Sequence, residues 1–133
     1  MARLSYNIEN PSTGHIVIFD QEILDTSNSY NPHIGVFRVP VSGVYCISLT
    51  AASQGEPGNG RVLHLHLKRD GTSVGYVFLD SDDLHWLRRN EIVILHLNVG
   101  DNVYVQVDIV HNHCTLNGDG LNTHLQGFLI FPY

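Results

Sequence analysis

Apolar and polar residues alternate along most of this chain, and the alternation keeps a period of two. Through Gly35-Val36-Phe37-Arg38-Val39, and again through Gly43-Val44-Tyr45-Cys46-Ile47-Ser48-Leu49, one side of each segment is turned into a core. Arg61 to Arg69 alternates most cleanly: Leu63, Leu65 and Leu67 face inward, leaving His64, His66 and Lys68 on the outer side. Asp70-Gly71 is a hairpin signal, and Thr72 to Leu79 is the return strand. His15 to Phe19, Glu22 to Asp25, Glu91 to Val99, Val103 to Val110 and His124 to Phe131 supply further strands. Between them lie turns and loops. Asn31-Pro32 and Pro40 with Ser42-Gly43 make corners, while Ala51 to Asn59, Asp80 to Asn90 and His111 to Asn122 are polar loops. Eight to ten short strands, with no helical period longer than one turn, predict an all-β sandwich or barrel. Long loops between consecutive strands favour Greek-key crossing, hence a jelly roll.

The pattern also predicts assembly. Val93, Leu95 and Leu97 serve one face of their strand, yet Ile92 and Ile94 sit on the other. Val103, Val105 and Val107 do the same beside Tyr104 and Val110. Apolar residues on both faces need cover on both, either from a local loop or, more simply, from a symmetric oligomer.

Composition narrows the function classes. The 133 residues make one domain, 1–133, long enough for a substantial core. A formal net charge of −6 argues against non-specific nucleic-acid binding, which needs a basic surface. No apolar run reaches the ~18 residues of a membrane span, and the start of the chain shows no apolar leader core. No Gly-x-Ser-x-Gly elbow, P-loop or His-Glu-x-x-His helix is present, so catalysis is not expected.

Three clusters invite chemistry. His64-Leu65-His66, after Gly58 and before Asp70, resembles half of the cupin metal motif, but nothing after Asp80 matches the second half. Two donors are too few for a transition metal, so the pair reads as solvent-facing strand residues, and His111-Asn112-His113 as loop residues. Arg61, Lys68 and Arg69 flank one strand and Arg88-Arg89 close the charged loop. These suggest an anion-binding patch, with ordinary pairing to Asp70, Asp82 and Asp83 as the plainer account. Asp80, Asp82 and Asp83 bring hard oxygen donors close together. Cys46 and Cys114 read as free thiols rather than a bridge.

The spacing of Phe19, Asp25, Tyr30, Phe37, Gly43 and Tyr45 resembles the signature of the C1q globular-head family, with Ile47 and Leu49 at its last two aromatic positions. Tyr30-Asn31-Pro32, Pro40 to Tyr45, Val99 to Gln106 and the closing Gly127 to Pro132 are similar to that family's wording. The resemblance implies a ten-stranded jelly roll, similar to tumour necrosis factor, assembled as a homotrimer. Ile92, Ile94, Tyr104 and Gln106 are then expected at the subunit interface. It also implies a Ca²⁺ site near the trimer apex using Asp80 with Asp82 or Asp83. The implied function is that of a secreted, lectin-like innate-immune module for microbial polysaccharide or lipopolysaccharide; Arg61, Lys68, Arg69, Arg88, Arg89, His64 and His66, read from the sequence itself, are the candidate contacts. The alternative is a trimeric, cytokine- or synaptic-organiser-like ligand of a protein receptor. Neither nucleic acid nor membrane insertion is implied.

Overall fold

Gly43 to Gly55 alternate well enough to make the longest strand, β6 (Gly43–Gly55), and the fold is built on its two edges. The computed structural model describes residues 1–56, 60–82 and 85–133. One edge of β6 pairs with β9 (Leu87–Leu97), from Gly43 opposite Leu97 to Ser53 opposite Leu87. The other edge takes β12 (His124–Pro132) and then, further along, β11 (Cys114–Leu116). β1 (Ala2–Arg3) and β3 (Gln21–Glu22) extend the sheet beyond β12, and β2 (Ile8–Glu9) lies outside β11. This is a seven-stranded antiparallel sheet.

The second sheet has five strands, in the order β4 (Tyr30–Asn31), β5 (Val36–Arg38), β10 (Asn102–His111), β7 (Val62–Arg69) and β8 (Thr72–Phe78). The chain crosses between sheets after β3, β5, β6, β8, β9 and β10, which is the jelly-roll crossing that the long loops predict. Asp70 (φ 47°) and Gly71 (φ 88°) both occupy the left-handed region, as the tight β7–β8 turn requires. The expected all-β sandwich holds, and four of its strands are only two residues long.

The core lies between the sheets. Leu63, Leu65 and Leu67 from β7 meet Tyr45, Ile47 and Leu49 from β6, with Phe19, Val39, Leu79 and Leu97 at their flanks. Each buried leucine or phenylalanine contributes about 1.5–3 kcal/mol. Ile47 and Leu49, which replace two aromatics of the signature, are buried here, so the core role of those positions is kept.

Several expectations about elements change: Ala51 to Gly55, read as the start of a loop, are the end of β6, and the strand expected over Glu22 to Asp25 is only Gln21–Glu22. β9 begins at Leu87, so Arg88 and Arg89 are strand residues rather than the end of a loop. The stretch read as loop from His111 to Asn122 contains β11, whose pairing with β2 and β6 explains its buried Cys114 and Leu116. His15 to Phe19 is not a regular strand, but it runs along β10 through the Val17 N–H to the Val105 carbonyl and the Val107 N–H to the His15 carbonyl. Finally, a β-bulge between Val107 and Ile109 reverses the parity of β10. Val110 therefore packs against the core instead of on the outer face, and Ile109 turns outward beside Asp108.

Candidate functional site

The signature residues are structural. The Phe19 N–H donates to the Tyr30 hydroxyl at 3.0 Å, and that hydroxyl donates to the Phe19 carbonyl at 2.9 Å. Asp25 accepts from the backbone N–H groups of Ser29 (3.2 Å) and Tyr30 (3.0 Å), closing the loop before β4. Burial pushes the Asp25 carboxyl up, but the hydrogen bonds from Tyr30, Ser29 and Ser27 outweigh it and hold the group below its ordinary value. Burial pushes the Tyr30 phenol well up. The Tyr45 hydroxyl donates to the Val41 carbonyl at 2.6 Å, and its ring meets Phe37 edge-on at 6.2 Å. A cavity of about 150 Å³ opens beside Tyr30, Phe37 and Ile47, but Asp25 within it is already committed to the loop.

The expected anion patch does not assemble. Arg61 is 2% exposed, and its guanidinium donates to the carbonyls of Ser53 (3.2 Å) and His85 (2.8 Å). It is an internal strut, not a surface contact. Arg69 donates to the His96 carbonyl at one end of β9, tying the two sheets together. Arg88 lies at the other end of that strand, donating to the Leu121 carbonyl. The eight-residue step from Arg88 to His96 spans about 26 Å of strand, so these guanidinium groups cannot grip one small anion. Asp70, the expected surface partner, instead accepts from the Asn102 backbone and side chain.

Asp80 and Asp82 are exposed or partly so, and Asp83 lies outside the described residues. Asp80 Oδ2 is 2.9 Å from His64 Nε2 and is therefore already engaged. Among the described residues no three His, Cys, Asp or Glu side chains converge. Two carboxylates, one of them engaged, do not by themselves make the six-to-eight-oxygen shell that calcium takes. Cys46 and Cys114 are both free, as the sequence suggests. Cys114 pairs opposite Gly55, nine residues along β6 from Cys46. Burial pushes the Cys114 thiol up, partly offset by the Arg61 guanidinium.

Two outer faces remain, and both are unlike ordinary surface. On the seven-stranded sheet, Ile94, Cys46 and Phe128 lie side by side across β9, β6 and β12. Ile94 is 66% exposed and Phe128 64% exposed, with Ile92, Ile130 and Phe131 also open nearby. Towards Arg88 the same face turns polar, where the Asn90 amide bonds Ser48 and Thr50. Ile92 and Ile94 thus share one apolar band. Tyr104 and Gln106, expected with them, lie on β10 of the other sheet, and the Gln106 amide donates to the Gly14 carbonyl.

The five-stranded sheet presents a different surface. His64 lies opposite Phe78 and His66 opposite Tyr76. The His64 and Phe78 rings stack at 4.1 Å, and His66 meets Tyr76 edge-on at 4.7 Å. His66 also lies 3.1 Å from Asp108 and 2.8 Å from the Ser73 hydroxyl. His64 and His66 therefore do face outward, as their parity predicts, each beside a carboxylate. Sequence reasoning missed Tyr76, Phe78 and Ser73 as partners of the histidines, because a register shift between Leu67 and Lys68 puts His66 opposite Tyr76 where the Asp70-Gly71 turn alone would put Gly75. Asp108 shares the outward parity of Tyr104 and Gln106, but its place beside His66 comes from the pairing of β10 with β7, which no short stretch of sequence shows.

Comparison with known proteins puts these faces in context. The C1q domain model matches residues 1–130. A complement C1q subcomponent of the rat (Rattus norvegicus) is 28% identical over 93% of this chain, and one of the human (Homo sapiens) complement C1q subcomponents is 28% identical over 86% of it. The chain spans 50% and 43% of the lengths of those two relatives. The globular domain of zebrafish complement 1qA superposes with a TM-score of 0.63 at 22% identity, covering 96% of this chain and 98% of that one. The fold is that of the C1q globular domain. With its signature spacing, its two-sheet crossing and a family match over nearly its whole length, the chain belongs to the C1q domain family.

Proposed function

We propose that this chain is a non-enzymatic, extracellular recognition module of innate immunity, working as a homotrimer that grips repetitive microbial surface glycans. The observation that carries this reading is the apolar band of Ile94, Cys46 and Phe128 on the seven-stranded sheet. A monomer with several open, adjacent large apolar side chains on a flat face loses free energy to water that assembly recovers. The relatives are named as complement subcomponents, which supports a recognition role over a catalytic one. No helix among the described residues is long and apolar enough to cross a membrane.

Multivalency is the mechanism. Three weak sites held together bind a repeating surface far more tightly than one, because the second and third contacts form at high effective concentration. Light scattering on the wild-type chain is expected to report three times the 14.9 kDa subunit mass. Ile94→Asp, which places a charge in the band, is expected to give single subunits that no longer agglutinate bacteria. A wild-type particle of one subunit, or a single-subunit variant that still agglutinates, would sink this reading.

A further inference from the structure

We infer that the outer face of the five-stranded sheet is itself a glycan-binding site, with Tyr76 and Phe78 as the stacking platform and Asp80 and Asp108 as the hydroxyl acceptors, and that it selects neutral sugars over anionic ones. This rests on the proposed recognition role and names the surface and the ligand chemistry that would serve it. Tyr76 is 47% exposed and Phe78 48% exposed, on the edge strand of their sheet, with ring centroids 5.8 Å apart. His64 stacks on Phe78 and holds that ring in place while about half of its surface stays open. The backbone beneath Tyr76 is secured as well, because its N–H donates to Glu91 Oε2 at 3.3 Å. An open, positioned aromatic pair of this kind suits the C–H face of a pyranose, which is apolar and flat.

The polar groups around the platform decide which sugar. Asp80 and Asp108 each engage one histidine, at 2.9 and 3.1 Å. A carboxylate has two oxygens and about four acceptor positions, so each keeps capacity for a sugar hydroxyl without giving up its imidazole. Charge-assisted O–H to carboxylate bonds are the stronger kind. A phosphate or sulfate group would instead meet these carboxylates as like charges. Lys68, the cation of this strand, lies a row away opposite Ser73, and Arg61, Arg69 and Arg88 are held elsewhere. The face also lies on the opposite sheet from the apolar band, so a trimer closed through that band would leave it open on each subunit.

The test uses laminarin and yeast mannan as neutral polysaccharides and dextran sulfate as the anionic comparison. Wild-type protein is expected to bind at least one of the neutral pair and to ignore dextran sulfate. Tyr76→Ala and Phe78→Ala should each weaken neutral-glycan binding roughly tenfold, the worth of one aromatic contact. Phe78→Tyr and Lys68→Ala should leave it within about twofold, and melting midpoints confirm that each variant is folded. Binding of dextran sulfate alone, binding of neither neutral polysaccharide, or neutral binding indifferent to both ring deletions would overturn the site. Saturation-transfer NMR with laminarin on the single-subunit Ile94→Asp variant separates this inference from the trimer reading. Transfer that Phe78→Ala abolishes supports the site even where agglutination fails, whereas agglutination untouched by either ring deletion leaves the trimer standing and the site refuted.

Discussion

Asp25 shows what a single side chain does for this fold. Its carboxylate closes the loop that delivers Tyr30 to Phe19, accepting two backbone N–H groups as it does so. Asp25→Ala leaves those donors without their acceptor and is expected to cost about 1–3 kcal/mol, read as a lower denaturation midpoint with an unchanged slope. Because the folded-state value lies below the ordinary 3.8, Asp25 stabilises the protein above that pH and the contribution fades as pH falls through the folded value. Acid titration of Asp25→Asn should therefore lack that part of the low-pH loss. Arg61 makes the opposite point about charge. In sequence it resembles Lys68 and Arg69, yet it is buried and bonded to two carbonyls from different parts of the chain. Arg61→Ala is expected to cost about 1.5–3 kcal/mol, the range for hydrogen bonds to charged groups, while Lys68→Ala changes the midpoint little.

Among the elements, β6 carries the most, and its first residue shows why glycine stands there. A Cβ on Gly43 would come within 2.3 Å of the Phe131 carbonyl oxygen, a backbone atom that cannot step aside without parting β6 from β12. Gly43→Ala is expected to destabilise by about 1–3 kcal/mol through overpacking, and hydrogen exchange should show the loss concentrated in β12. The β10 bulge is the other decisive element feature. It folds Val110 back into the core and turns Ile109 outward, so one extra residue changes which face two side chains serve. Strict alternation had assigned Val110 to the wrong face, because period two is legible only until a bulge resets it.

For the whole molecule, the state of the two thiols reports assembly directly. Cys114 is buried within the subunit itself, whereas Cys46 sits in the centre of the apolar band. Native wild-type protein is expected to resist alkylation at both cysteines, while Ile94→Asp exposes Cys46 alone and denaturant exposes both, as mass spectrometry would count. Alkylation of Cys46 in the native wild type at the rate of the variant would contradict the covered band. Much of this protein was determined by its sequence alone: the strand alternation, the Asp70-Gly71 hairpin, the Phe19-to-Tyr45 spacing and hence the family and the sandwich. Those signals are local or fixed in spacing, so they survive without coordinates. Only the tertiary structure decided that Arg61 is internal, that Arg69 and Arg88 stand at opposite ends of β9, and that Ile92 and Ile94 lie on a different sheet from Tyr104 and Gln106. It alone brought Tyr76, Phe78, Asp80 and Asp108 around the two histidines. Those outcomes depend on which strands pair across long separations and where a bulge shifts the register, and neither is written in any short stretch of chain.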